Sequence, residues 1–338
     1  MHMADALVSP VAGSTMWVLS AALIARCSSL INAFGEDRLV PLMGVLGAFV
    51  FAAQMINFTI PLTGSSGHLG GGLLLAVLLG PSAAFLTIAS VLVVQALFFA
   101  DGGLLALGSN IFNLGFFPAF IACPLIYKPL AGRMPGRGRL TVAAVVAAVV
   151  ALQLGAFSVV VQTVLSGVAA LPFSSFLLFM QPIHLAIGVV EGLVTAAVLL
   201  FVRRARPELL VVPSACSFSL KPVVVAFFIA ALLTGGLVSW FASGQPDGLE
   251  WSIAKASGLK ELHSPDKGMH LRLSDIQQKT ALLPDYTFKS QAASEQNRHL
   301  GTTVSGVAGG LTTFALAMIA GYAVSRRRVA LKTPDDIR

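Results

Sequence analysis

Apolar stretches long enough to cross a lipid bilayer occupy most of this 338-residue chain. A membrane-spanning helix needs about 20 mostly apolar residues. A shorter stretch, residues 68–80, begins with glycines and stops before Pro81, which predicts a short, broken helix. Only 11% of the residues are charged, against about 25% in soluble domains, so the sequence predicts an all-α integral membrane protein. The longer stretches are 15–35, 39–58, 82–100, 104–127, 140–165, 173–202, 222–243 and 303–324.

Lys and Arg residues cluster in alternate connections between these segments. The short connections 59–67, 101–103 and 166–172 contain none. Because short cytoplasmic loops are enriched in Lys and Arg, we expect a bacterial cytoplasmic (inner) membrane protein with its N-terminus outside and its C-terminus inside. The net charge of +7 then reflects topology and does not indicate nucleic-acid binding. The basic residues assigned to the inner side are Arg26, Arg38, Lys128, Arg133, Arg137, Arg139, Arg203, Arg204, Arg206, Lys221, Arg326, Arg327, Arg328, Lys332 and Arg338.

The pattern divides the chain into two membrane units. Residues 1–205 form a predicted seven-helix unit, followed by a cytoplasmic connector at 206–221. Residues 222–338 form a second unit, in which two helices flank a polar outer segment at 244–302. That segment carries seven basic and seven acidic residues, so its charge indicates neither an acidic nor a basic ligand. The three cysteines show no CxxC spacing, which gives no indication of a thiolate metal site or a disulfide framework.

A histidine stands second in the opening sequence MHMADALVSP, and no Lys or Arg precedes the first apolar segment. A signal peptide would begin with basic residues, so we interpret the opening as an outer segment. The Met1 α-amine, the His2 amide nitrogen and the His2 imidazole can close two fused planar chelate rings, which leave one in-plane position for another imidazole. Four planar nitrogens suit Ni(II) or Cu(II), whereas Zn(II) prefers a tetrahedron. A histidine that binds no metal is the alternative.

His68 is the best-placed candidate for the fourth nitrogen. It stands in TGSSGHLGGG, at the outer end of the broken helix and on the same side of the membrane as the N-terminus. The neighbouring glycines would let the chain end approach closely; a hydrogen-bonded structural histidine is the alternative. Metal-bound imidazoles usually donate their second N–H to an oxygen atom. The candidate partners are Asp5, Asn57, Thr63, Ser65 and Ser66, which could instead cap turns or, for Asp5, lock the N-terminal segment.

Several stretches of the first unit resemble one family of membrane proteins. MHMADALVSP, VPLMGVLGAFVFAAQMINF, SSGHLGGGLLLAVLLGP, QALFFADGGLLALGSNIFNLG and HLAIGVVEGLVT follow in the order found in the nickel/cobalt substrate-capture (S) subunits of energy-coupling factor (ECF) transporters. GQPDGLEW and LPDY in the second unit resemble the small N-type PDGLE partner subunit, here fused to the M-type capture subunit. Relatives often begin with MHIPDGFLSP. The opening MHMADALVSP of this chain is more typical of relatives in which the two nickel-transport subunits are fused.

The resemblance implies a helical bundle into which the N-terminal segment plugs from outside. It implies that the Met1 amine, the His2 amide and imidazole, and the His68 imidazole bind Ni²⁺ or Co²⁺ as the transported substrate, in a roughly square-planar site. It also implies a transmembrane coupling (T) subunit and two cytoplasmic ATPase subunits as partners. This chain has no GxxxxGK[ST] phosphate loop, so we expect no nucleotide site in it.

The choice of metal and the mode of transport remain open from the sequence. The preference of Ni(II) for planar nitrogen favours nickel over cobalt. The alternatives are a cobalt importer subunit for cobalamin biosynthesis and a stand-alone divalent-metal channel or facilitator. An enzyme is not expected, since the chain contains no HExxH motif.

Two further pairs of polar residues have alternative interpretations. His184 and Glu191 are seven residues apart and share one face of a spanning helix. For them, helix–helix hydrogen bonding or coupling to the transport partners is favoured over metal ligation. Asp247 and Glu250 are outer carboxylates that could gather cations, but a turn-forming role is favoured.

Overall fold

The fold is a bundle of apolar helices, as the sequence predicts. In the described part of the chain, six helices are long and apolar enough to cross a membrane. Met1 and most of the predicted connector lie outside the described residues. The computed structural model describes residues 2–34, 39–132, 135–207, 220–259, 262, 264–265, 268–289 and 295–331.

Helices account for nearly all of the regular structure in these ranges, with one short antiparallel hairpin between α2 and α3. The order of elements is α1 (Pro10–Phe34), α2 (Leu39–Gln54), β1 (Phe58–Ile60), β2 (Ser65–Gly67), α3 (Gly72–Leu79), α4 (Pro81–Phe99), α5 (Leu107–Ala131), α6 (Arg137–Ser166), α7 (Phe173–Ala205), α8 (Lys221–Gly236), α9 (Gly248–Ser257), α10 (Gly268–Thr280) and α11 (Glu295–Leu331).

Each predicted apolar segment corresponds to one of these helices, but some extents differ. Helix α2 ends at Gln54, earlier than predicted, because the chain then turns into the β1–β2 hairpin. Helix α5 contains Pro118 and Pro124, and its middle part, Phe112–Tyr127, is a π-helix. Proline removes a backbone hydrogen-bond donor from a helix. The wider turns of a π-helix accommodate the hydrogen bonds that are lost in this way. Helix α11 starts at Glu295 and so extends into the predicted outer segment.

Glycines allow the closest helix crossings. A Cβ at Gly192 of α7 would overlap the Cα of Val145 in α6, and a Cβ at Gly306 of α11 would overlap the main chain of Gly235 in α8. Small residues at such crossings let backbones approach within a membrane. Helices α8 and α11 both pack against α2, so the second unit lies directly beside the first.

The described part of the polar segment at 244–302 packs against helices of the first unit. It contains α9, which packs against α7, and α10, which packs against α4. Helices α9 and α10 have polar, exposed faces and few buried residues. This placement brings residues of the PDGLE stretch to the region where the chain begins.

Candidate metal centre

Most of residues 2–8 are buried, and they pack against the connection between α4 and α5. Met3 is fully buried, and its N–H donates to Asn110 Oδ1 at 2.7 Å while its carbonyl accepts from Asn110 Nδ2 at 3.1 Å. The Met3 carbonyl also accepts the Gly103 N–H at 2.9 Å. The Asp5 carboxylate accepts the Ala106 N–H at 2.9 Å. Polar main-chain groups of the segment therefore have partners inside the bundle, which fixes its position.

Gly103 makes this docking possible, and we expect Gly103→Ala to weaken metal binding. A Cβ at this position would overlap both the carboxylate and the main-chain nitrogen of Asp5. Overpacking of this kind costs about 1–3 kcal/mol, or roughly a five- to 150-fold increase in Kd if docking carries the whole cost. Gly138→Ala is the matched control, since no atom lies within 4 Å of a Cβ there. Isothermal titration of both variants with Ni²⁺ measures the effect, and equal affinities would contradict it.

The docked segment brings His2 next to His68. The two imidazole rings are parallel to within 8°, and their centroids are 4.9 Å apart. Their side chains are 6% and 8% exposed. The broken helix predicted at 68–80 is shorter than expected, since α3 begins at Gly72 and His68 lies in the extended stretch between β2 and α3.

Glu191 of α7 holds the stretch that follows His68. Its two carboxylate oxygens accept the N–H groups of Gly70 at 2.8 Å and Gly71 at 3.1 Å. Gly71 has a φ of 73°, a left-handed conformation that glycine adopts without strain. The sequence favours helix–helix hydrogen bonding or coupling to the transport partners for Glu191, whereas its observed contacts are with the loop that precedes α3. Glu191 therefore acts on the histidine through the backbone of the loop.

A carboxylate contacts each of the paired imidazoles. Asp101, in the connection between α4 and α5, lies 2.9 Å from His2 Nδ1. Its other oxygen accepts a 2.6 Å hydrogen bond from the Tyr286 hydroxyl, in the LPDY stretch of the second unit. Burial alone would raise the pKa of Asp101, but the charge and hydrogen bond of His2 and the Tyr286 hydroxyl lower that pKa below its usual range. Asp101 is therefore ionised beside His2.

Asp247, in the PDGLE stretch, faces the second imidazole. Its Oδ2 lies 3.9 Å from His68 Nε2, and its Oδ1 accepts the Glu250 N–H at 2.7 Å in a capping box that starts α9. The PDGLE stretch runs beside β2, where the Ser66 N–H donates to the Pro246 carbonyl at 2.8 Å. Asp247 and Glu250 thus form the expected turn, but Asp247 also lies close to His68.

The protonation states of this cluster suit a metal ligand. Burial lowers the pKa of His68 to about 3, and the charge of nearby His2 acts in the same direction. Burial opposes ionisation of Asp247, yet neighbouring positive charge and the hydrogen bond from the Glu250 N–H lower its pKa below the usual range. His68 Nδ1 lies 3.1 Å from the Leu69 carbonyl; an N–H donated there leaves the lone pair on Nε2. Neutral imidazole is the form that binds metals.

The polar residues predicted as partners of the imidazoles make other contacts. The Asp5 carboxylate caps the start of α5, as described above. The hydroxyls of Thr63 and Ser65 are 3.0 Å apart within the hairpin turn. The Ser66 hydroxyl donates to a carbonyl next to the PDGLE stretch, and the Asn57 carbonyl accepts an N–H from the segment after α8. Their role as partners of metal-bound imidazoles stays a prediction.

Asp101 and Tyr286 were not predicted as site residues. A lone carboxylate in a connection free of Lys and Arg, between two spans on the outer side, was the available signal for Asp101. Tyr286 is 185 residues away from it, and no local pattern connects the two. Among the side chains that the structure describes, no group of three or more His, Cys, Asp or Glu is arranged to hold a metal ion.

Comparisons with known proteins agree with this architecture. Residues 2–209 match the CbiM family, described as the cobalt uptake substrate-specific transmembrane region, and residues 221–326 match the PDGLE domain. A putative fused nickel transport protein NikMN from Archaeoglobus fulgidus is 30% identical over 328 residues, which cover 96% of this chain and 98% of that protein. The fused nickel transport protein NikMN from Rhodobacter capsulatus is 29% identical over 356 residues, covering 97% and 99%.

Two solved structures share the fold of the first unit. A truncated transition metal transporter is 28% identical with a TM-score of 0.52, covering 61% of this chain and 99% of that one. A second transition metal transporter is 26% identical with a TM-score of 0.54, covering 62% and 95%. These relatives are transport proteins rather than enzymes. The chain therefore belongs to the CbiM family of metal-transport membrane proteins and carries a PDGLE domain in the same polypeptide.

Proposed function

We propose that this chain is the metal-capture subunit of an ATP-driven ECF-type importer and that its substrate is Ni²⁺. The observation that carries the proposal is the buried, parallel pair of imidazoles from His2 and His68. Main-chain nitrogens of the opening segment complete the site in this proposal. The Met1 amine and the His2 amide nitrogen supply them, and a planar set of four nitrogens favours Ni²⁺ over Co²⁺.

Binding through His2 Nδ1 requires the ring to turn over, because that nitrogen now faces Asp101 at 2.9 Å. A half-turn about the Cβ–Cγ bond exchanges Nδ1 with Cδ2 and Nε2 with Cε1. After the half-turn, the Nε2–H group occupies the former place of Cε1. This place is adjacent to the one that Nδ1 held beside the Asp101 carboxylate. Asp101 can accept this hydrogen bond, as carboxylates commonly do behind metal-bound imidazoles. Tyr286 holds the carboxylate in place for it.

The same proposal covers the partners and the orientation. We infer that a transmembrane coupling subunit and two cytoplasmic ATPase subunits drive release to the cytoplasm. The absence of Lys and Arg from the short connections near the site supports an outer location for the metal centre by the positive-inside rule. Nickel then reaches the site from outside the cell.

Competition between the two metals tests the identity of the substrate. After growth in equal concentrations of nickel and cobalt, the purified chain is expected to contain mainly nickel, at about one ion per chain, because planar nitrogen ligation favours Ni²⁺. Elemental analysis measures the ratio. A predominance of cobalt would instead favour a cobalt importer. In liposomes that contain this chain alone, metal flux without ATPase subunits would overturn the capture-subunit proposal in favour of a channel.

A further inference from the structure

A water-accessible cavity of about 550 Å³ is lined in part by His2, one of the paired imidazoles. It lies between the N-terminal segment, the connection from α4 to α5, and the α9–α10 region of the PDGLE domain. No Lys or Arg is among the described residues that line it, whereas its five acidic residues make it strongly negative. These residues are Asp5, Asp101, Asp247, Glu250 and Asp285.

The acidic residues of the cavity differ in exposure, and Asp5 is buried. Glu250 and Asp285 are exposed to solvent. Asp101 and Asp247 are half-buried, and these are the two that contact His2 and His68. A cation that enters from solvent would therefore meet exposed carboxylates first and imidazoles last.

An unpartnered polar atom of His2 also points to a ligand in the cavity. It lines the cavity, and its side chain is only 6% exposed. Its Nε2 is a buried atom with no hydrogen-bond partner among the described residues. A buried polar atom without a partner costs about 1–3 kcal/mol, so such atoms usually face water or an ion.

We propose that this cavity is an outer waiting site for a hydrated divalent cation, held through its water molecules by Glu250 and Asp285 before it loses them to the nitrogen ligands. This inference rests on the proposed function. Carboxylates are suited to cations that keep part of their water shell. Six water molecules occupy roughly 180 Å³ at about 30 Å³ each, so the cavity has room for a fully hydrated ion.

The waiting site predicts an effect on the rate of metal capture more than on its final affinity. A negative cleft raises the local concentration of cations and their association rate, while the ligands that retain the ion are unchanged. Glu250→Gln and Asp285→Asn remove the charges with little change of shape. Gln can still accept the Asp247 N–H in the capping box, and Asn tolerates the left-handed backbone at Asp285, where φ is 50°.

The test measures association and dissociation rates of Ni²⁺ with the purified full chain by stopped-flow absorbance. The double variant is expected to associate about three- to tenfold more slowly at low ionic strength, with an unchanged dissociation rate. Salt screens exposed charges, so the difference should shrink as ionic strength rises. Asp275→Asn is the matched control, because this exposed residue of α10 does not line the cavity.

The possible outcomes separate this inference from the proposed function. Wild-type association rates and salt dependence in the double variant would overturn the waiting site and leave the nitrogen site intact. A faster dissociation with unchanged association would overturn it too, because it would show that the two carboxylates retain the bound ion. Failure of the wild-type chain to bind Ni²⁺ stoichiometrically would instead overturn the proposed function itself.

Discussion

Two glycines added ahead of Met1 are expected to abolish stoichiometric binding of Ni²⁺ to the purified chain, although every side chain is retained. The extension moves the α-amine out of the five-membered ring that it forms with the His2 amide. It also enlarges a segment that is held in a buried position by Met3 and Asp5. Loss of groups that merely support a metal ligand costs ten- to hundredfold in affinity, so loss of a ligand should increase Kd by at least about a hundredfold.

The length of the extension matters for the chemistry. A single added residue would place histidine third, and an amine, two amides and an imidazole could then fill the metal plane without His68. Two residues avoid this arrangement. The same two glycines at the C-terminus are the control and should leave binding unchanged. Full retention of stoichiometric binding in the N-terminally extended chain would rule out the amine as a ligand.

His68→Ala is the second change with a large expected effect, and His184→Ala is its matched control. His184 is also a fully buried histidine, with Nδ1 2.8 Å from the Met180 carbonyl. It lines a cavity of about 10 Å³ together with His68. Removal of either imidazole deletes a buried ring near the site, but only His68 supplies the fourth nitrogen in the proposed plane.

Isothermal titration should therefore show an increase in the Ni²⁺ Kd of at least about a hundredfold for His68→Ala and a near wild-type value for His184→Ala. Thermal unfolding gives a second readout, since ligand at 100 times its Kd stabilises a protein by about 2.7 kcal/mol. Nickel should stabilise the wild type and His184→Ala in this way, but not His68→Ala. An equal loss in both variants would show that general packing, not ligation, explains the effect.

The PDGLE domain contributes directly to the surroundings of the candidate metal centre. Asp247 lies near His68, and Tyr286 holds the carboxylate that contacts His2. The His270 imidazole additionally lies 2.9 Å from the Val8 carbonyl of the N-terminal segment. Because the two units share one chain, the groups that make these contacts stay at a high effective concentration relative to each other. The domain thus covers the site and lines the cavity that His2 also lines.

Most of the membrane architecture could be predicted because it depends on local composition. The apolar stretches and their length identify spanning helices without knowledge of their neighbours. The predicted helix ends and helix types were less accurate where tertiary features intervene. Examples are the end of α2 before the hairpin and the π-helix around Pro118 and Pro124. The assignment of His68 to a helix failed for a similar reason, since Glu191 binds the Gly70 and Gly71 N–H groups and the helix begins after them.

The sequence by itself determined an all-α membrane chain, a chemically distinctive opening with histidine at position 2, and a second histidine, His68, among glycines. Only the tertiary structure decided that the N-terminal segment docks beside Gly103, that Asp101 contacts His2, and that Asp247 faces His68. The physical reason is the range of the interactions. Helix formation and membrane insertion follow from neighbouring residues, whereas these contacts join groups about a hundred or more positions apart that only the packed bundle brings together.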